Sequence, residues 1–169
     1  VNIAELNAAV LAPTVRANHV RAFVAACTQC QQCVPVCPAD LSRADMLLFN
    51  KEKVYAAEPD RAVPARRAGA RVATAWTVDT LTARLGEVPL LAGVGAHERR
   101  RLALGGELRL WSAGDVLVEE GAFREELVVV LSGALRQSAR DATGRTTDLL
   151  TLGPGAFVGE LAVLADGPE

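Results

Sequence analysis

Outside residues 27–37 the sequence contains no cysteine; within them it contains four, Cys27, Cys30, Cys33 and Cys37. That excludes a small secreted domain stapled by dispersed disulfides, and the crowding points to metal. Aromatic side chains make up only 4% of the 169 residues and do not alternate with the basic ones, so a stacking platform for single-stranded nucleic acid is excluded. No apolar run approaches the roughly 20 residues that cross a bilayer, and no basic, apolar, small-residue leader opens the sequence. The expectation is a soluble, cytoplasmic protein with neither a membrane nor a nucleic-acid partner. Ser-His-Asp, Cys-His, phosphate-loop and dinucleotide glycine patterns are all missing, so a self-contained enzyme is not expected.

What is present is apolar mass. Half of the residues are apolar, 22% are charged, and the net charge is -2; such a chain buries a core, which excludes wholesale disorder. Its length fits one ordinary domain or two small ones. Residues 1–75 hold nine basic and six acidic side chains and residues 76–169 nine and fourteen, so the halves read as different modules. The sequence opens on Val1 rather than a methionine and stops at Glu169; the expectation is a piece of a longer chain.

Apolar spacing through Ile3, Leu6 and Val10, then Val15, Val20, Phe23 and Val24, predicts helices over residues 1–12 and 14–26, broken at Pro13. A third helix starts behind Asp40 or Ser42 as N-cap and runs to about Tyr55. Residues 58–75 carry prolines, a glycine and arginines with little periodicity, and read as a linker with a solvated basic face. Two short helices follow, over 79–85 and 96–103. Beyond Gly105 short apolar runs (108–111, 116–118, 127–131, 135–138, 147–152, 157–158) alternate with Gly114, Gly121, Gly133, Gly144, Gly153 and Gly155, the grammar of closely spaced antiparallel strands. His19 and His97 read as solvent or packing histidines, Trp76 and Trp111 as core or interface aromatics, and Glu119, Glu120, Glu125 and Glu126 as solvated turn acids.

Cys27, Cys30, Cys33, Cys37 and Pro38 form C-x2-C-x2-C-x3-C-P. Steps of three wrap a tight loop whose thiolates converge, which suits an iron-sulfide cube better than one tetrahedral ion, and the second knuckle expected of structural zinc is missing. Residues 27–38 closely resemble the bacterial-type 4Fe-4S ferredoxin motif. That resemblance implies a 4Fe-4S cluster as cofactor, one-electron transfer, and a redox partner protein or an upstream oxidoreductase domain. In two-cluster ferredoxins the fourth cysteine of such a run serves the other cluster, and the sequence has no fifth. Either Cys37 completes the same cluster, or a second motif precedes Val1, or a partner chain exchanges ligands. The nearby Arg16, Arg21, Arg43, Lys51 and Lys53 would favour reduction of a negative cluster; their ordinary reading is a solvated surface.

Residues 88–169 resemble a cyclic nucleotide-binding domain. Val88-Pro89-Leu90-Leu91-Ala92-Gly93-Val94 and Glu98-Arg99-Arg100-Arg101-Leu102-Ala103 resemble its opening helices. Ala113-Gly114-Asp115-Val116-Leu117 and Val130-Leu131-Ser132-Gly133-Ala134-Leu135 resemble its jelly-roll strands, and Leu152-Gly153-Pro154-Gly155-Ala156-Phe157-Val158-Gly159-Glu160-Leu161-Ala162-Val163-Leu164 its phosphate-binding cassette. The resemblance implies cAMP or cGMP as regulatory ligand: Gly159 allows close approach, the Leu161 and Ala162 amides face the cyclic phosphate, and Glu160 accepts from the ribose 2′-hydroxyl. It also implies an arginine nine or ten residues after that glutamate; the ninth position is Glu169. Weak or absent nucleotide binding is therefore expected of these 169 residues alone.

The resulting expectation is an α+β chain: a small helical ferredoxin-like iron-sulfur segment (1–57), a linker (58–75) and an incomplete antiparallel β jelly roll with short helices (76–169). Its expected function is an iron-sulfur electron-transfer module with an attached cyclic nucleotide-binding regulatory domain, with a homodimer left open. Two alternatives stand beside it. One is a redox-sensing transcriptional regulator of the fumarate-nitrate-reduction type, whose cysteine spacing differs and which carries a helix-turn-helix after the β domain; the other is a docking or regulatory part of a larger oxidoreductase.

Overall fold

The computed structural model describes residues 1–30, 43–119, 122 and 126–160. The chain folds into two compact units, Val1–Ala83 with Gly95–Ser112, and Arg84–Val94 with Ala113–Glu169.

The first unit is built on helices α1 (Ile3–Leu11), α2 (Asn18–Ala25) and α3 (Arg43–Ala57). A capping box starts α1: the Glu5 N–H donates to Asn2 Oδ1 at 2.9 Å and the Asn2 N–H to Glu5 Oε2 at 2.8 Å, satisfying two orphan donors at once. The Asn2 N–H, and His19 beyond it, hold the Glu5 carboxyl below its ordinary value. Helix α2 starts later than its apolar spacing predicts because Ala17 is extended, yet Val15 upstream is still buried. Leu6, Val15, Val20, Val24, Ala25, Leu47 and Val54 make one core, with Ala9, Cys27 and Met46 packed on it. Burial of each large aliphatic chain contributes roughly 1.5–3 kcal/mol. Phe23, which shares the predicted spacing, instead lies 46% exposed.

Residues 58–75, expected as a linker, carry a hairpin of β1 (Ala65–Arg67) and β2 (Ala70–Val72), paired Ala65 to Val72 and Arg67 to Ala70. Ala68 and Gly69 turn it, both at positive φ (46° and 83°), as a two-residue turn between twisted strands requires. The hairpin was not legible because its stability is non-local: the Arg66 N–H donates to the Leu108 carbonyl at 2.8 Å, and the Leu110 N–H to the Arg66 carbonyl at 2.7 Å. Helix α4 (Val78–Gly86) extends the predicted 79–85 by one residue at each end. Helix α5 (Ala96–Gly105) packs on α3.

In the second unit a 3-10 turn, Pro89–Leu91, precedes two antiparallel pairs: β3 (Val128–Val129) with β6 (Phe157–Val158), and β4 (Leu135–Arg140) with β5 (Thr146–Leu152). The β4–β5 turn closes on Asp141, whose Oδ1 accepts from the Thr143 hydroxyl (2.6 Å), the Thr143 N–H (2.9 Å) and the Arg145 N–H (3.0 Å). These bonds, the hydroxyl first, lower its carboxyl pKa. The expected run 108–111 contributes a single bridge at Arg109, and 116–118 no strand. Val116 and Val118, which would share one face of a strand, are 59% and 41% exposed, so that face has nothing to pack against. The mixed helices and antiparallel pairs agree with the expected α+β class, and the jelly roll takes the form of separate two-stranded pairs among the described residues.

Candidate functional site

The cysteine segment leaves the end of α2. The Cys27 N–H donates to the Val24 carbonyl at 3.1 Å, so the helix passes directly into the turn that carries the first thiol. Gln29 then takes φ 60°, a left-handed conformation unusual outside glycine. This bends its N–H back to Cys27 Sγ, 3.4 Å away. N–H donors on sulfur stabilise thiolate and set cluster potentials. Thr28 and Gln29 are buried, 9% and 7% exposed, and Gln29 Nε2 finds no hydrogen-bond partner among the described residues. Cys30 borders a cavity of about 290 Å³ together with Arg66, Glu107, Arg109 and Trp111. Glu107 there pairs with both arginines, 3.4 Å from Arg66 Nε and 2.6 Å from Arg109 Nη2.

Of the four expected ligands the structure places Cys27 and Cys30; Cys33 and Cys37 lie outside the described residues. Among the described residues no three His, Cys, Asp or Glu side chains come together as a metal site. What is placed fits thiolate chemistry: soft sulfur donors, an amide aimed at one of them, and a cavity beside the other.

Two lysines read as surface charges take other places. Lys51 is 1% exposed, and its Nζ donates to the Leu104 carbonyl in the last turn of α5 at 3.1 Å. Burial pushes its pKa down to about 8, while the charge of Cys27 acts in the opposite sense. Lys53 Nζ donates to the carbonyls of Ala9, Val10 and Ala12 at 2.8, 2.6 and 2.5 Å, closing the C-terminal end of α1. Tyr55 is fully buried; its hydroxyl donates toward the Ala25 and Ala62 carbonyls, and burial raises its pKa. Sequence reasoning gave Lys51 the wrong environment and missed Gln29 and Tyr55. The signal was the helical stripe 47, 50, 51, 54, 55, which closes only when Asn50 and Lys51 are admitted to it. Trp111, expected in a core or interface, is 41% exposed.

The cassette-like segment begins with a turn. Gly153, Pro154, Gly155 and Ala156 form it, with the Ala156 N–H donating to the Gly153 carbonyl at 3.0 Å and Gly155 at φ 86°. Proline second and a positive-φ glycine third are the demands of a type II turn. The turn is pinned to the strand opposite: the Gly155 N–H donates to the Val130 carbonyl and the Val130 N–H to the Ala156 carbonyl, at 2.8 and 2.9 Å. Strand β6 then pairs with β3, Val128 opposite Val158. This delivers Gly159 against the backbone of Glu126 at φ 92°, where a Cβ would collide with the Glu126 carbonyl oxygen. Glu160 follows, half-buried. Leu161 and Ala162 lie outside the described residues.

This geometry accompanies a family match. Residues 108–169 match the family model described as "Cyclic nucleotide-binding domain", and Gly159 and Glu160 fall inside the matched stretch. Among curated proteins the chain is similar to the "cAMP-dependent protein kinase regulatory subunit" of Blastocladiella emersonii, 30% identical over 126 residues, which is 62% of this chain and 31% of that protein. It is also similar to the protein of the same description from Aspergillus fumigatus, 29% identical over 113 residues, 57% of this chain and 27% of that one. The chain thus spans about three-tenths of the length of these relatives. No solved structure matches it. The family match begins after the last cysteine, and neither relative is described as an iron-sulfur protein. Among the described residues no helix is long and apolar enough to cross a membrane.

Proposed function

We propose that the chain is a regulatory piece that binds a cyclic nucleotide, cAMP or cGMP, through residues 76–169 and carries a 4Fe-4S cluster on residues 1–57. The nucleotide reading is carried by one observation: within the matched region, Gly159 is held at positive φ on the Glu126 carbonyl, with Glu160 next in line. Glu160 accepts from the ribose 2′-hydroxyl, and the Leu161 and Ala162 amides donate to the cyclic phosphate. Because these 169 residues alone are expected to bind weakly, the test is calorimetric titration of the full protein with cAMP and cGMP. Glu160→Gln weakens binding about tenfold or more, as loss of a charged hydrogen bond of roughly 1.5–3 kcal/mol demands; equal affinity of wild type and variant overturns the assignment.

For the cysteines, the support is the spacing C-x2-C-x2-C-x3-C-P and the Gln29 N–H on Cys27 Sγ. Cys27, Cys30, Cys33 and Cys37 would hold the cluster, which supplies one-electron transfer to a redox partner protein or an upstream oxidoreductase domain. Gln29 donates to a ligand sulfur, and Cys27, half-buried, packs on the helical core. Anaerobic reconstitution decides it: four irons and four sulfides per chain support the reading, and one zinc or no metal overturns it.

A second reading rests on the named relatives. Their description as regulatory subunits favours a chain that engages a protein kinase catalytic subunit, with the cysteine segment serving only as structure. Nucleotide-dependent inhibition of a kinase catalytic subunit, unchanged in a protein whose four cysteines are serine, would select it.

A further inference from the structure

Three arginines stand in a row across the small sheet of the first unit. Arg71 lies directly opposite Arg66 in the β1–β2 hairpin, and Arg66 forms a parallel bridge with Arg109 on its other side. Residues opposite one another in a ladder share a face, so the three side chains leave the sheet on the same side. Like charges placed this way destabilise a sheet, and residues 61–78 contain no carboxylate to offset them. Among the described residues the carboxylate that reaches the row is Glu107, two positions before Arg109. It is spent on Arg109, whose Nε and Nη2 both lie 2.6 Å from Oε2. Arg66 Nε comes only within 3.4 Å of Oε1, an oxygen buried without a hydrogen bond. Among the described residues Arg71 forms no ion pair. Arg66 and Arg71 therefore hold positive charge that Glu107 does not neutralise.

This charge borders a cavity. Arg66, Glu107, Arg109 and Trp111 line a space of about 290 Å³ against the hairpin turn at Ala68 and Gly69. Arg66 is pre-positioned there, because its Nη2 donates to the Gly69 carbonyl at 2.7 Å. A guanidinium held in place offers a planar fork that matches phosphate oxygens. Small-molecule pockets start at about 300 Å³, so the cavity suits a small ligand rather than a polymer, and Trp111 gives it an apolar wall. We propose that this cavity binds a phosphate monoester, with Arg66 holding the phosphate, Arg71 adding charge behind it, and the Trp111 indole covering an aromatic or apolar body. Glu107 is a positioning residue that fixes Arg109 at the rim. The site uses none of the cassette residues around Gly159 and Glu160 and does not rest on the nucleotide reading.

The experiment titrates the full protein calorimetrically with phenyl phosphate and with inorganic phosphate. Wild type binds phenyl phosphate more tightly than inorganic phosphate, and Trp111→Ala removes that difference. Arg66→Gln weakens phenyl phosphate about tenfold or more, the loss of a charged hydrogen bond. Arg66→Lys recovers part of the affinity, since it keeps the charge but not the fork. Arg71→Gln weakens binding less, through charge alone. Arg67→Gln, on the opposite face of the hairpin from Arg66, leaves affinity unchanged, and circular dichroism verifies that each variant folds. Absent binding in wild type overturns the proposal, as does equal affinity in wild type and Arg66→Gln or for the two probes. Displacement of phenyl phosphate by excess cAMP would put it in the cassette and overturns the proposal too; cAMP affinity unchanged in Arg66→Gln upholds a separate site. Where iron and sulfide are taken up, retained affinity upholds it, whereas loss of phenyl phosphate binding assigns the arginines to an anionic cluster at Cys30 and overturns it.

Discussion

At the scale of single residues, Gly159 answers two demands at once. Its φ of 92° lies where side chains are strained, and the Glu126 carbonyl occupies the space a Cβ would need. Gly159→Ala must therefore move β6 away from β3 or push that carbonyl aside, and is expected to cost about 1–3 kcal/mol, seen as a lower thermal midpoint. Gly114 and Gly133 also have positive φ but open space around the Cβ position, so alanine there adds only strain and the loss is smaller. The ordering of the three midpoints is the check: equal losses at Gly159 and Gly133 would mean that close approach to Glu126 plays no part.

At the scale of elements, α3 organises the first unit. Its buried stripe packs against α1 and α2, and its two lysines hold the C-terminal ends of two other helices, Lys53 on α1 and Lys51 on α5. A cation on free carbonyls satisfies groups that the helix leaves unpaired. Lys53→Met keeps the aliphatic stem but removes the donors, and is expected to lower stability by about 1–2 kcal/mol, read as a lower urea midpoint with unchanged slope. Apolar period made α1, α4 and α5 legible in the sequence, and β6 fell where its glycine-flanked apolar pair predicts. The cassette glycines were legible too, because a turn announces itself by residues that tolerate positive φ. The hairpin β1–β2 and the inward lysines were not. The first depends on pairing with a segment some forty residues away, and the second on polar atoms being satisfied by backbone, which no count of apolar positions reveals.

At the scale of the whole molecule the two units differ in depth of burial. The first holds a helical core in which Val24, Tyr55, Val78 and Leu104 are all at 0% exposure. In the second, Val88 and Val130 are the buried apolar side chains among the described residues, and β5 is exposed at every position but Leu152. Local opening follows the depth of packing, so amide hydrogen exchange is expected to be slower in α2 and α3 than in β4 and β5. Comparable protection in β5 would show that something covers it in solution.

The division into units also bears on how such a chain is cut and joined. It passes from the first unit to the second after Ala83, returns at Gly95 and leaves again after Ser112. With three crossings, no single break releases either unit intact: a fragment beginning at residue 113 leaves behind residues 84–94, and one ending at residue 83 lacks α5 and with it the carbonyl that holds Lys51. End-to-end joining of genes cannot exchange these units as blocks; each transfer has to carry the other's excursion with it.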